Sequence, residues 1–257
     1  MAIEIITNSV WGASTRILAT NGSDVAHTIR TGIENMTGGP RHLYYTGAGT
    51  GTLRAVYLNK AGGLSADRCV IARADRNAGH GLSILAWSAY PSSSSSLYSS
   101  SNFAGPFVGP RSQDSVFDLG TQTGKQAFGV QLSSGSGGSY AKTLQQVFFG
   151  TAFRLPWIER LSRTLLPRFA RQTVQRRMSY MVRERIELTA GNLSRTDVAA
   201  FKALHKIRTD PFFLHDPAGI QLRDKLVYGV MDGPPVETVF DDLHTLTITF
   251  FVLEYWV

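Results

Sequence analysis

From residue 1 to about residue 153 the chain never sustains a helical period. Short apolar segments recur instead, at 52–58, 68–74, 82–89, 126–132 and 144–149, and each is bounded by a turn signal. The turns are Gly62-Gly63, the stretch 77–79, the serine run after Pro91, and the glycines between Gly135 and Gly138. Segments this short cannot close a helical face, but they can each cross a sheet once, so the pattern predicts a β-sandwich of jelly-roll type. The run at 91–101, Pro followed by serines around Leu97 and Tyr98, is too polar to pack and is expected as an exposed, mobile loop.

The pattern changes after Gly150. Residues 153–177 mix Leu155, Trp157, Leu161, Leu165, Leu166 and Phe169 with arginines and are interrupted by Pro156 and Pro167, which predicts a partly helical connector. At 178–188 a strict alternation returns, with Ile186 and Leu188 opposed to Arg185 and Glu187, as in a half-buried strand. Ser194 followed by Asp197 reads as an N-cap pair, and Val198, Phe201 and Leu204 recur on one helical face behind it. Strands are expected at 211–214, 226–231 and 243–257, separated by turns at 216–219 and 232–235. A length of 257 residues accommodates both parts. The expected organisation is mainly β: a jelly-roll-like sandwich over 1–153, an arginine-rich connector over 154–177, and a smaller α+β domain over 178–257. That domain carries an antiparallel sheet and one capped helix.

Charge narrows the partners. The formal charge is +7, and between Arg154 and Arg185 nine arginines face only Glu159 and Glu184. A solvated basic face, an acidic protein neighbour and nucleic acid are the three readings of such a run. No helix-turn-helix, zinc finger or RNA-binding aromatic motif accompanies it, so nucleic acid is the weakest of the three. Arginine's planar donor fork beside apolar anchors suits protein contacts, which marks Trp157, Leu161, Leu165, Arg168, Phe169, Arg171, Arg176 and Arg177 as candidate interface residues. Cys69 is the sole cysteine and reads as a buried strand thiol. The N-terminus has no basic region before an apolar core, and no apolar run is long enough to span a bilayer, so the chain is expected to fold in a cytosol without membrane insertion.

A search for chemistry finds little to build on. No Gly-x-Ser-x-Gly elbow is present, and Gly120 to Lys125 is one residue short of a phosphate loop, with Gln126 where a hydroxyl belongs. The six histidines form no metal-ligand spacing, and His215-Asp216, adjacent on a strand, point apart. No catalytic residue, cofactor or metal is therefore expected. Trp87, Tyr90 and Tyr98, beside the serine run, are candidate glycan contacts, with core packing as their competing role.

Two resemblances follow from particular segments. Ala66 to Asp75, Phe117 to Gly120, Phe128 to Leu132 and Gln146 to Gly150 resemble the strand order of galactose-binding-like, discoidin-like jelly rolls. Tyr180 to Leu188, the capped helix, Pro211 to Leu214 and Thr247 to Tyr255 resemble the strand, helix, strand and closing-strand scheme of minor and distal tail proteins of tailed bacteriophages. What the resemblance implies is a non-enzymatic virion protein, made in the bacterial host cytoplasm. It would act as a tail-tip or baseplate subunit that forms a ring with copies of itself and contacts other tail proteins. The alternative is a carbohydrate-binding module whose partner is a host-surface glycan; an enzyme is a distant third.

Overall fold

A computed structural model describes residues 2–14, 16–20, 45–46, 52–72, 81–100, 115–133, 143–144, 146–167, 182–206, 212–218, 226–240 and 243–252. The chain divides into two compact units, one of residues 7–152 and one of residues 1–6 with 153–257. The architecture is mainly β, a sandwich followed by a smaller α+β unit.

The sandwich unit contains α1 (Ser9–Ala13), β2 (Arg16–Thr20), β3 (Tyr45–Thr46), β4 (Leu53–Leu58), β5 (Leu64–Ala72) and β6 (Gly81–Ala89). It continues with β7 (Ser93–Ser100), β8 (Ser115–Lys125), β9 (Ala127–Ser133), β10 (Thr143–Leu144) and β11 (Gln146–Gly150). One sheet has the order β2-β4-β9-β6-β7, and another the order β11-β5-β8. Alternation along the strands aims Ala55, Tyr57, Ile84, Ala86, Phe128 and Val130 of the first sheet at Cys69, Ile71, Val147 and Phe149 of the second, and all are buried. Each isoleucine, valine or phenylalanine among them contributes about 1.5–3 kcal/mol on removal from water. The alternate residues Val56, Leu58, Trp87 and Ala127, with Leu18, form a separate buried cluster on the other face of the five-stranded sheet. Gly150 has no room for a side chain, since a Cβ there would lie 1.7 Å from the Thr7 carbonyl oxygen.

The buried polar atoms of this core are either bonded or neutral. Tyr57 donates its hydroxyl to the Val147 carbonyl at 2.5 Å, and burial pushes its phenol far above the ordinary range, so it stays protonated. Burial likewise raises the Cys69 thiol, which makes it a poor nucleophile at neutral pH.

The second unit is built from β1 (Ile3–Thr7), β12 (Ala152–Leu155), β13 (Trp157–Pro167), β14 (Val182–Leu193), α2 (Arg195–Lys206), β15 (Phe212–His215), β16 (Leu226–Met231), β17 (Val236–Phe240) and β18 (Leu243–Val252). Its eight-stranded sheet runs β12-β1-β15-β16-β18-β14-β13, with β17 added to β18. Ile186, Leu188 and Ala190 of β14, with Leu246, Ile248 and Phe250 of β18, bury one face against Val198 and Phe201 of α2. The helix starts where its capping pair dictates: the Asp197 amide donates to Ser194 Oγ at 3.1 Å, and the Ser194 amide donates back to Asp197 Oδ2 at 3.1 Å.

Three elements differ from the sequence expectation. The first strand belongs to the second sheet, because Ile3 and Ile5 complete its core and the partners of β1 are β12 and β15. The serine run is the edge strand β7, paired with β6 from Leu82↔Ser100 to Ala89↔Ser93 with two shifts of register. Its ladder is made by backbone groups, which serine supplies as well as any residue, while Leu97 and Tyr98 anchor it to the core. Residues 157–167, expected in a connector, form β13 against β14, held by an ion pair of Arg163 Nε with Glu184 Oε1 at 2.5 Å. Pro156 and Pro167 lie just before the strand and at its last residue, where the missing amide costs the ladder little. The closing residues 253–257 lie outside the described residues.

Candidate functional site

The most exposed apolar surface among the described residues lies on the β17–β18 hairpin. Val236 is 64% exposed, Val239 55%, Phe240 75% and Leu243 54%. Isolated exposed apolar residues are ordinary, but Val236, Phe240 and Leu243 share one face of a five-rung hairpin, with Val239 on the other, and three large side chains together form a patch of the kind that marks an interaction site. The hairpin is fixed at its base from both sides. Glu237 accepts a hydrogen bond from Lys202 of α2, and its other carboxylate oxygen meets His244 Nδ1 at 2.6 Å. These two partners, Lys202 first, hold the Glu237 carboxyl below its ordinary range.

Register places a second exposed aromatic residue at the same height. Val239 pairs with His244, and His244 pairs with Leu193. Trp157 pairs with Gly191, within the irregularity between Ala190 and Leu193 where Asn192 takes a positive φ of 55°. At this level the sheet is four strands wide, β17-β18-β14-β13, or about 14 Å from edge to edge. Among the described residues β17 pairs only with β18, and β13 only with β14. Trp157, 54% exposed, thus stands on one open edge level with Val239 on the other.

The lowered Glu237 carboxyl has a stability consequence with a definite sign. A depressed folded-state value contributes stability above the unfolded carboxylate range, and the contribution is lost as pH falls through the folded value. Glu237→Gln is therefore expected to lower the melting temperature of the second unit at neutral pH, with the difference from wild type closing in acid. Melting curves over a pH series check this; a constant difference down to the most acid point contradicts it.

A further polar cluster joins residues far apart in the chain. Glu4 of β1 is buried, with Oε1 at 3.1 Å from Arg154 Nε and Oε2 at 3.0 Å from His215 Nδ1. Reading His215 with its neighbour Asp216 missed this, because the true partner lies 211 residues away in sequence. The cluster ties β12, β1 and β15 together side by side, a structural role. Among the described residues no group of three metal-binding side chains lies together.

The sequence candidates separate. Trp157 is exposed on the β13 edge, and Leu161 is half-buried against the core. Leu165 sits opposite Glu184 in the ladder. Arg168, Phe169, Arg171, Arg176 and Arg177 lie outside the described residues. Trp87 is corrected: it is 1% exposed, stacks edge-on to Tyr90 at 5.3 Å and offers no ring face to a sugar. Tyr98 is half-buried against Phe117 at 4.7 Å. The hairpin went unrecognised, although Val236-Glu-Thr-Val-Phe240, rich in β-branched and aromatic residues, stands between a proline pair and Asp241-Asp242 as a strand bounded by turns would.

No family model and no curated protein matches the chain. Among solved structures, it is similar to chitosan-binding module 1 of a chitosanase/glucanase from Paenibacillus sp. IK-5, at 10% identity and a TM-score of 0.38. That match covers 52% of this chain and 92% of that one. A selenomethionine-labelled mutant of the same module matches at 11% identity and a TM-score of 0.40. A GH29 fucosidase mutant of Ruminococcus gnavus, in complex with fucose, matches at 8% identity and a TM-score of 0.41, covering 57% of this chain and 27% of that one.

Proposed function

We propose that the chain is a non-enzymatic structural subunit that works by association with copies of itself and with its neighbours, within the tail or tail tip of a tailed bacteriophage. The observation that carries association is the hairpin, on which the exposed Val236, Phe240 and Leu243 share one face. Two open edges at one height, apolar β17 and the Trp157 end of β13, are different surfaces, so a contact between them is head-to-tail, and such contacts close into rings when the rotation allows. The phage setting is supported by the scheme of strand, capped helix, strand and closing strand in 178–257, and it makes the virion the place of action and the host cytoplasm the place of synthesis.

A carbohydrate-binding module for host attachment is the second reading. Its support is β7, an exposed strand rich in hydroxyls that suit hydrogen bonding to a sugar. The chitosan-binding module named above is a protein of this kind. Electron cryomicroscopy of the virion separates the two readings: a ring of this chain in the tail supports the first, and its absence from the particle contradicts it. Binding on a glycan array by a chain that remains monomeric would favour the second.

A further inference from the structure

Among the described residues, the β7 edge is built differently from the other long exposed edge strands. Edge strands in stable proteins are usually guarded by charges or proline, since a row of unpaired backbone groups invites another strand. β13 carries Glu159 and Arg160, β12 carries Arg154, β2 carries Arg16 and β8 carries Asp118. β7 carries no charge, and residues 77–110 around it contain no Asp, Glu, Lys or Arg. Ser93, Ser94, Ser95, Ser96 and Ser99 are exposed on it, and among the described residues its ladder is made on one side only, with β6.

We propose that β7 pairs with β7 of a second copy across a two-fold axis, joining two five-stranded sheets by one antiparallel ladder. Self-pairing places each residue opposite a residue of the same strand read backwards, so a strand is suited to it only if it tolerates its own reverse. β7 does around that axis: serine meets serine across the stretch that holds it, hydroxyls opposite one another stabilise the pair slightly, and no like charges oppose. A charged partner would find nothing to recognise over 77–110, which favours a second copy over an acidic or basic protein. The ladder skips Leu97, where Ile84 pairs with Tyr98 and Leu85 with Ser96, and shifts again between Trp87↔Ser94 and Ala89↔Ser93, so the regular stretch is Ser94 to Ser96 and the axis falls there. One strand per copy is a small contact beside a standard interface, so the dimer depends on concentration.

The inference is independent of the hairpin, and its test is made in a Val239→Asp, Phe240→Asp background that removes hairpin contacts. Sedimentation over a concentration series should show monomer passing to dimer. Adding Ser94→Lys with Ser96→Lys should leave monomer only, with an unchanged melting temperature because both side chains are exposed. Single cysteines placed at 94, 95, 96 and 99 should form oxidised dimers with a yield peaking at one position, since only the residue nearest the axis meets its own counterpart. The native thiol is silent because Cys69 is buried. A monomer at every concentration, equal cross-linking at all four positions, or a dimer indifferent to the lysines overturns the proposal. So does a change of mass seen only when a chitosan oligosaccharide is added, which would assign the strand to a sugar.

Discussion

Trp87→Ala is expected to cost about 3–5 kcal/mol, among the largest losses of any single truncation in the sandwich. The ring is fully buried in the cluster of Leu18, Val56, Leu58 and Ala127. Arg54 lies 5.8 Å above it, and Gly129 leaves the space beneath it, since a Cβ there would stand 3.0 Å from the ring. Alanine would open a cavity bounded by side chains that cannot all collapse, because the sheet ladder holds β4, β9 and β6 in register. For a domain of this size the melting temperature should fall on the order of 10 °C, read by calorimetry. A Trp87→Ala protein that melts like wild type but loses a glycan would restore the binding role that burial denies.

Replacing Val239 and Phe240 together by aspartate is expected to abolish assembly through the hairpin while leaving the fold intact. Both side chains are more than half exposed, so their removal exposes little core. At an assembled contact the same change would bury two unpaired carboxylates, and apolar anchors at interface centres each govern 2 kcal/mol or more. The affinity should therefore fall by about 100-fold or further. Circular dichroism should show an unchanged spectrum and melting point. Wild-type assembly by the double variant would remove the hairpin from the account.

The parts of the fold legible in the sequence are those where side-chain pattern and backbone demand coincide. β4, β6 and β9 announce themselves because both faces of each strand are largely buried, which gives short apolar runs between turns. α2 is readable from Ser194 and Asp197, whose capping chemistry is local. What escaped is governed by non-local pairing or by the backbone alone. Nothing near Glu4 signals that its partners are Arg154 and His215, and nothing in Ile3 or Ile5 signals which sheet they complete. β7 has no apolar alternation because only its backbone is needed to extend the sheet. β13 hides its period behind an irregularity between Ile158 and Arg160, with prolines at its borders. The exposed apolar hairpin of β17 and β18 could be assigned only once the register was known.

The mass of the purified chain in solution tests association most directly. Native mass spectrometry at rising concentration should show a closed assembly, a fixed multiple of 28.1 kDa, that disappears in the Val239→Asp, Phe240→Asp variant. A single species of 28.1 kDa at every concentration, for both proteins, would contradict the account.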